Sequence, residues 1–375
     1  MRVTRIAARE IDAPLACRWT ALQSHPGHPE WLHPFLSAAF AQLTAEIRVH
    51  ARVAVIEDAG SIVGLWAFEE PLPGLAHPLA RHMSDLQGVL LDPQWADDQM
   101  GSAQWGSAER GFAESPLRWV ARQLRLPLVR VDHLLPSRQD PMAGRRIRWM
   151  IALHEGFDAY LREQSPRTRW WRRAPGRARK LAEAMGPLTW RDDVRDDAAW
   201  TALARWKSAQ YRASGLRDNF AIGWVREWLE RLRWSDSPGL RGSLQSLRAG
   251  GQVVAVHFGV RGHHILHHYL PAYDNALSVH SPGSVLLEQT ISQAPAQGVT
   301  MIDLSTGDMD YKQAVSNRQE FLERGAIGPG VLLRLEALAH RTADGLRGWP
   351  GLLPVARLGR RALVSVINGP PRPQG

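Results

Sequence analysis

One cysteine, Cys17, and three lysines, Lys180, Lys207 and Lys312, stand among 375 residues. A lone thiol forms no internal disulfide and supplies no cysteine-rich zinc site, which points to a reducing compartment. The shortage of lysine leaves 43 arginines among the 46 basic residues, a skew that reflects a GC-rich genome before it reflects a function. Long apolar runs are absent too. No window approaches the roughly 18 to 20 apolar residues of a membrane span, and the start Met1-Arg-Val-Thr-Arg-Ile-Ala-Ala-Arg-Glu10 lacks a signal-peptide core. The expectation is a soluble, cytoplasmic protein. No serine or cysteine stands beside a matching base, so a covalent intermediate on such a nucleophile is not expected.

The hydrophobic content of 44% is that of a globular protein, and the length suits two domains and an appendage. The formal charge is +9. Between Arg162 and Lys180 eight basic residues (Arg162, Arg167, Arg169, Arg172, Arg173, Arg177, Arg179, Lys180) face the single acid Glu163. Such a run is either a solvated helix face or a cradle for the phosphates of a cofactor, a tRNA or an acidic lipid. Trp170 and Trp171 lie inside it, but with sixteen tryptophans in the chain they are weak evidence for base stacking. DNA is not an expected partner.

Two segments superpose without a gap: Val55 to Phe68 and Ser246 to Gly259, each a strand, a glycine-containing turn and a strand. This repeat predicts one hairpin-bearing architecture in each half. The expected division is a first domain over 1–145, a second over 146–330, and a basic amphipathic helix with a Pro/Gly-rich tail over 331–375. That last segment is a candidate for peripheral membrane contact. A helix is expected over Phe157 to Met185 with a break at Pro175-Gly176, and amphipathic helices over Asp197 to Ala213 and Ile222 to Trp234.

The densest information lies between His257 and Lys312. Ser281-Pro282-Gly283-Ser284 opens a helix: serine as N-cap, proline at the first helical position, glycine where a ligand approaches the backbone. Val285, Leu286, Leu287 and Ile291 follow at helical spacing, so one face packs on a sheet. The first-turn amides and the helix dipole then favour an anion, typically pyrophosphate. Strands near Ile265 to Leu270 and Met301 to Ser305 flank this helix as a right-handed parallel crossover. Pro271, having no N–H, is expected to end strand pairing.

Phe157-Asp-Ala-Tyr-Leu161 with the basic helix after it, Ala255-Val-His-Phe-Gly-Val260, Leu270-Pro-Ala-Tyr-Asp274, Ser281-Pro-Gly283, and the Asp303 to Lys312 segment with Gly307 and Tyr311 recur in this order. With them the chain resembles the GNAT-superfamily acetyltransferase-like domain of CelD-type proteins from bacterial cellulose and exopolysaccharide clusters, a relative of the FemAB aminoacyl transferases. Ser84-Asp-Leu-Gln-Gly88 looks like a run that often precedes this domain. The likeness covers about Ala152 to Ser316, and Pro175-Gly176 departs from it. It implies an α/β fold of tandem GNAT-like domains, each a mixed central sheet flanked by helices. In it two middle parallel strands splay, pantetheine lies in the gap, and pyrophosphate rests on the following helix. Acetyl-CoA or another acyl-CoA is the implied cofactor, held by Ser281, Pro282, Gly283, Ser284 and Val285. The implied acceptor is a small molecule or a saccharide meeting His268, Tyr273 and Asp308. Alternatives are a FemAB-like aminoacyl-tRNA-dependent transferase, with the basic helix on the RNA, and a non-catalytic scaffold.

Histidines 257, 263, 264, 267, 268 and 280 crowd one region. With Arg261-Gly262 as the two-residue turn of a hairpin, Gly259 pairs with His264, His257 with Leu266 and Ala255 with His268, so His257, His264 and His268 share a face. Strand alternation separates them from His263 and His267, and no cysteine or nearby carboxylate completes a tetrahedron, so no metal is expected. Trp66 occupies the first-half position of His257, which places base chemistry in the second half. His257, with an ordinary pKa near 6.5, is the candidate base that takes a proton from an attacking amine or hydroxyl. Asp303, a carboxylate in an apolar strand, must be paired or functional. It is expected to orient His257 or His268, or to bind Lys312. In this superfamily a tyrosine often protonates the leaving thiolate, and Tyr311 sits in that place; Lys312 is expected to anchor a phosphate or an acidic substrate. The bland alternative for His257 is a hydrogen-bonded sheet histidine, and for Tyr311 and Lys312 a cap on the sheet edge.

Overall fold

The computed structural model describes residues 1–100, 115–136, 144–330 and Leu333. The expected tail helix over 331–375 and most of the connector over Pro136 to Gly144 lie outside the described residues. The chain divides into two compact units: Met1–Asp12 with Arg48–Arg145 and Leu322–Gly375, and Ala13–Ile47 with Arg146–Phe321. This division departs from a cut at residue 145, because Ala13–Ile47 belongs with the second half. Its aromatic residues explain why: Phe40 packs edge-on against Trp228 and Phe35 against Tyr269, both in the second unit. Among the described residues no helix is long and apolar enough to cross a membrane.

The first unit is built on β1 (Arg2–Ala7), β2 (Ala51–Asp58), β3 (Ser61–Leu72), β4 (Leu75–Pro78), β5 (Leu90–Leu91) and β6 (Leu128–Leu134). Helices α3 (Pro93–Met100) and α4 (Pro116–Gln123) belong to it. The strand order is β1-β2-β3-β4-β6, with β5 on β3, and β4 and β6 are parallel. Its core gathers Trp66, Phe68, Trp119, Val120 and Val129.

The second unit begins with α1 (Ala13–Gln23) and α2 (Ala38–Ile47). It continues with β7 (Gly144–Ala152), α5 (Phe157–Arg167), α6 (Trp170–Met185), β8 (Leu188–Asp192), α7 (Asp197–Ala213) and α8 (Gly223–Arg233). Then come β9 (Asp236–Ser237), β10 (Leu240–Ala249), β11 (Gln252–Gly262), β12 (Ile265–Tyr273), α9 (Pro282–Gln293), β13 (Met301–Thr306) and α10 (Asp310–Val315). The final strand, β14 (Arg318–Ile327), belongs from Leu322 on to the first unit, in which Glu323 to Ile327 pair with β6. In the second unit the order is β7-β13-β12-β11-β10-β8, with β12 and β13 parallel and the other pairs antiparallel. Each unit is thus a mixed sheet flanked by helices with one parallel pair in it, the tandem architecture expected.

The repeat holds at the level of register. Ala59-Gly60 and Gly250-Gly251 form the two turns, all with positive φ (46° and 82°, 55° and 83°), as a type I′ hairpin requires. Both hairpins slip register at the same place, between Ile56 and Glu57 and between Leu247 and Arg248. Trp66 therefore faces Ala54 as His257 faces Gln245. Instead of a base, the first unit has Trp66 stacked on Phe68.

One helix boundary moves. The break expected at Pro175-Gly176 falls at Thr168-Arg169, and α6 runs through the proline. Thr168 is extended and its Oγ1 accepts the Trp170 amide at 3.2 Å, satisfying a group that a continuing helix would have used.

Candidate active site

β12 and β13 pair only at Ile265 with Met301, Leu266 with Ile302 and His267 with Asp303; beyond these three pairs they part. Both strands are bent away by their outer neighbours. β13 shifts register against β7 between Asp303 and Thr306, where Ser305 has φ 58° and donates its amide to Asp303 Oδ1 at 2.7 Å. β12 shifts against β11 between Phe258 and Val260, and a Cβ on Gly259 would lie 2.6 Å from the His267 carbonyl oxygen. Pro271 does not end pairing with β11, which continues through Tyr273. A proline fits here because its missing N–H points to the edge that the parting strands leave open.

The crotch of this fork is charged and fully buried. Asp303 Oδ2 accepts from Arg148 Nη2 at 2.9 Å and Nε at 3.1 Å, and lies 3.0 Å from His33 Nε2 and 3.3 Å from His267 Nδ1. Burial pushes the Asp303 carboxyl up, but Arg148 and the two imidazoles outweigh it and hold the group well below the carboxylate range. Burial lowers His33 to about 4 against the pull of Asp303, so the ring is neutral. Asp303 therefore neither orients His257 nor binds Lys312: its partners are Arg148, His33 and His267.

His33, His267 and Asp303 place three donor atoms within 4.8 Å of one another, close enough for a metal. Proton positions argue otherwise. His33 Nδ1 accepts the Phe35 amide at 3.2 Å, so the proton of the neutral ring is on Nε2, the atom that would have to ligate. A second cation, Arg148, already sits on the same carboxylate oxygen. The trio is a hydrogen-bonded ion network.

His257 is buried, and both its nitrogens are used inside the sheet: Nδ1 meets Gln245 Oε1 at 3.2 Å and Nε2 accepts the Tyr269 amide at 3.2 Å. Gln245 Oε1 also accepts from Thr290 of α9 at 2.6 Å. Burial first, then the neighbouring His268 and His267 rings, Arg261 and Lys207, push His257 well below its ordinary value. These bonds correct the assignment of His257 as base, since no nitrogen is left to face a substrate. The expected register is corrected as well. The turn is His263-His264, with φ 52° at His263, so Gly262 faces Ile265, Val260 faces His267 and His257 faces Pro271. Gly262 is kept for packing: a Cβ there would meet Gly239 O at 2.7 Å and Pro34. His257 and His268 still come together, through the register shift.

The other expected residues lie along the fork or after it. Burial lowers His268 to about 3, helped by Lys312, His267 and Lys207. Lys312 is buried and donates to the Thr306 carbonyl at 2.6 Å. Tyr311 is half-buried against the core of Leu304 and Val315, and burial raises its phenol to about 12. Asp308 is exposed, as is Tyr273.

α9 starts beside Tyr273, the last residue of β12. Ser281 stands at the N-cap with φ 53°, yet its side chain makes no cap bond; its carbonyl takes the amides of Ser284 and Val285 instead. The Gly283 amide has no partner among the described residues, and Ser281, Gly283 and Ser284 are half-exposed. Val285 is buried in the core with Leu286 and Leu247, so its side chain is closed to solvent. Gly283 does allow a close approach, but of the Tyr273 ring: a Cβ would sit 3.0 Å from Tyr273 Cδ1. In the first unit α4 also starts Ser-Pro, and there the Ser115 hydroxyl does cap, accepting the Arg118 amide at 3.4 Å.

Residues 171–313 match the acetyltransferase (GNAT) domain. None of the curated proteins compared with the chain matches it. Among solved structures, FemX is 12% identical with a TM-score of 0.49, covering 87% of this chain and 96% of its own. The DUF2156 domain of a putative lysylphosphatidylglycerol synthetase from Agrobacterium fabrum is 11% identical at TM-score 0.46, covering 82% and 92%. A tandem GNAT protein of the clavulanic acid pathway is 13% identical at 0.42, covering 88% and 99%.

Three residues near this site carry little signal in the local sequence. His33 lies 234 positions before His267 and arrives on the segment preceding α2. Arg148 comes from β7, whose alternation Ile147-Arg148-Trp149-Met150 gives no sign that one arginine faces inward. Lys207, on an amphipathic helix, is buried rather than solvated. A charged residue on the apolar stripe of α7, beside Leu203, was the one available signal.

Proposed function

We propose that the GNAT-type domain transfers an acyl group from acyl-CoA directly to an amine or hydroxyl of its acceptor. The observation that carries this reading is the fork: two parallel strands that part after three pairs, with the half-exposed start of α9 beside the end of β12. A thioester lying between the strands could replace the missing strand-to-strand hydrogen bonds, and the Gly283 amide with the α9 dipole favours its pyrophosphate. The acceptor attacks the thioester carbonyl, the C–S bond breaks, and the thiolate takes a proton. Tyr311 keeps its own proton at neutral pH and serves as donor toward the leaving sulfur. His268 and Tyr273 border the acceptor side, while His257 holds His268 in place. A saccharide or lipid-linked saccharide is the proposed acceptor, on the CelD-like motifs.

Thiol release from acetyl-CoA and longer acyl-CoAs in the presence of amine and hydroxyl acceptors tests this reading. Tyr311→Phe is expected to lower kcat at least tenfold with little change in CoA affinity. Absence of CoA binding would refute it.

A second reading takes an aminoacyl-tRNA as the acyl donor. It is favoured by the exposed bases Arg162, Arg167, Arg169, Arg172, Arg173, Arg179 and Lys180 on α5, α6 and their junction, whereas Arg177 is tied to Glu288 and lies over Trp170. Competition between charged tRNA and acyl-CoA separates the two. Arg172→Glu with Arg173→Glu should weaken tRNA binding alone.

A further inference from the structure

The first unit carries a fork of its own. β4 and β6 are parallel and pair at Leu75 with Leu128 and at Ala76 with Val129. β6 then shifts register against its outer neighbour β14 between Val131 and Leu134, and His133 has φ 59°. β13 does the same against β7 in the second unit, between Asp303 and Thr306, with φ 58° at Ser305. The two steps match residue for residue, the left-handed residue standing third in each. What lies beside them differs. β12 runs unbroken to Tyr273 and has no β13 partner beyond His267. β4 stops at Pro78, and the chain leaves the sheet to return as β5, whose Leu90 and Leu91 pair with Leu65 and Gly64 of β3. β2 holds the other edge of β3 over those residues, so β5 continues the line of β4. Just before it, Gln87 bridges to Leu134 in parallel: its amide donates to the His133 carbonyl at 2.9 Å, and its carbonyl accepts the Leu135 amide at 2.8 Å. The Gln87 side chain donates to the Asp132 carbonyl as well.

Backbone groups on a strand edge inside a sheet must find hydrogen-bond partners. In the second unit acyl-CoA is the proposed partner; in the first unit the chain supplies one itself. Met83, Ser84, Leu86 and Gln87 are buried, and the Ser84 hydroxyl donates to the Leu86 carbonyl at 3.0 Å, so the segment holds its own shape. Gly88 lets it lie close to β6: a Cβ there would be 3.1 Å from Leu135 Cδ1. We propose that Ser84 to Gly88 is a built-in occupant of the first unit's cofactor slot, lying where a pantetheine would lie, so that the chain takes one acyl-CoA and not two. This rests on the acyltransfer reading for what the open fork accepts. It also gives the Ser84-Asp-Leu-Gln-Gly88 run a task. The Gln87 backbone presents one N–H and one C=O to β6, the same pair of groups that an amide of pantetheine carries.

Calorimetric titration of the full chain with acetyl-CoA counts the slots, and amide hydrogen exchange read by mass spectrometry locates them. One site per chain is expected. Peptides covering 84–91 and 133–135 should exchange slowly in the free protein and be unchanged by CoA, while those of β12 and β13 slow when it binds. Gln87→Pro removes the amide that meets His133 and should speed exchange at Leu135 about tenfold; if that variant does not fold, the unaltered protein still decides. Two CoA sites per chain would refute the proposal, as would any change in the exchange of 84–91 on adding CoA. Exchange of 84–91 at the rate of an open loop, or an unchanged Leu135 rate in folded Gln87→Pro, would refute it too. If CoA binds nowhere, the acyltransfer reading falls instead, and the protection of 84–91 still tells whether that segment is seated in the fork.

Discussion

The imidazole of His257 lies flat on that of His268, ring centroids 3.8 Å apart and planes 10° from parallel. Both rings are buried, and His257 bridges Gln245 and the Tyr269 amide while His268 stands on the strand that leaves the fork. The pair explains how a histidine with no nitrogen to spare can still matter: it fixes the one in front of it.

His257→Ala should therefore behave as a stability variant. It empties a buried site, takes from the Tyr269 amide the ring that accepts it and leaves Gln245 Oε1 with the Thr290 hydroxyl alone, a loss of about 2 to 4 kcal/mol. Urea unfolding measures it. A fully stable variant with catalysis abolished would restore His257 as a catalytic base.

Asp303→Asn removes the charge that balances Arg148 in the crotch. Breaking a buried pair from one side costs about 3 to 5 kcal/mol, and the same denaturation experiment should show a loss of that size. Arg148→Met with Asp303→Leu, which removes both charges, should recover part of it.

Acid should unfold the protein early. His33 is lowered to about 4 and His268 to about 3, both first by burial. Below an ordinary pKa near 6.5 the unfolded chain binds protons that these folded rings refuse, so stability falls as pH drops from about 6.5. The contribution of His33 stops growing near its folded value of about 4, after a loss of about 3 kcal/mol. Asp303, shifted the other way, stabilises above its unfolded value of about 3.9 and withdraws support only as pH falls further, through its depressed folded value. Unfolding midpoints between pH 7.5 and 4.5 should decline steeply. A flat profile would show that these rings are protonated in the fold.

Much of this fold is legible in local sequence. The hairpin repeat fixed the shared register of Trp66 and His257, because turn residues with positive φ and alternating apolar positions act over neighbouring residues. Ser281-Pro282 marked the start of α9 for the same reason. The histidine register was missed because two local events lie between turn and strand: the turn sits at His263-His264, and the chain slips at Gly259. The Asp303 network was half legible. A carboxylate in an apolar strand announces a partner, but Arg148 and His33 come from 155 and 270 positions away, distances over which no periodicity reaches.

Gly283→Ala tests how tightly α9 begins. The added Cβ meets Tyr273 Cδ1 at 3.0 Å, and the ring, 41% exposed, can yield by tilting. Stability should fall by less than about 1 kcal/mol, with CoA affinity reduced several-fold as the first turn shifts. Tyr273→Ala in the same protein should return the affinity, a coupling that a double-mutant cycle reads directly.

A crystal structure with bound CoA would probe the fork itself. The expected density has pantetheine between β12 and β13 beyond the His267 and Asp303 pair, and pyrophosphate at the Gly283 end of α9. CoA seated elsewhere on the chain, with the two strands apart and nothing between them, would mean that the fork is not the acyl-donor site.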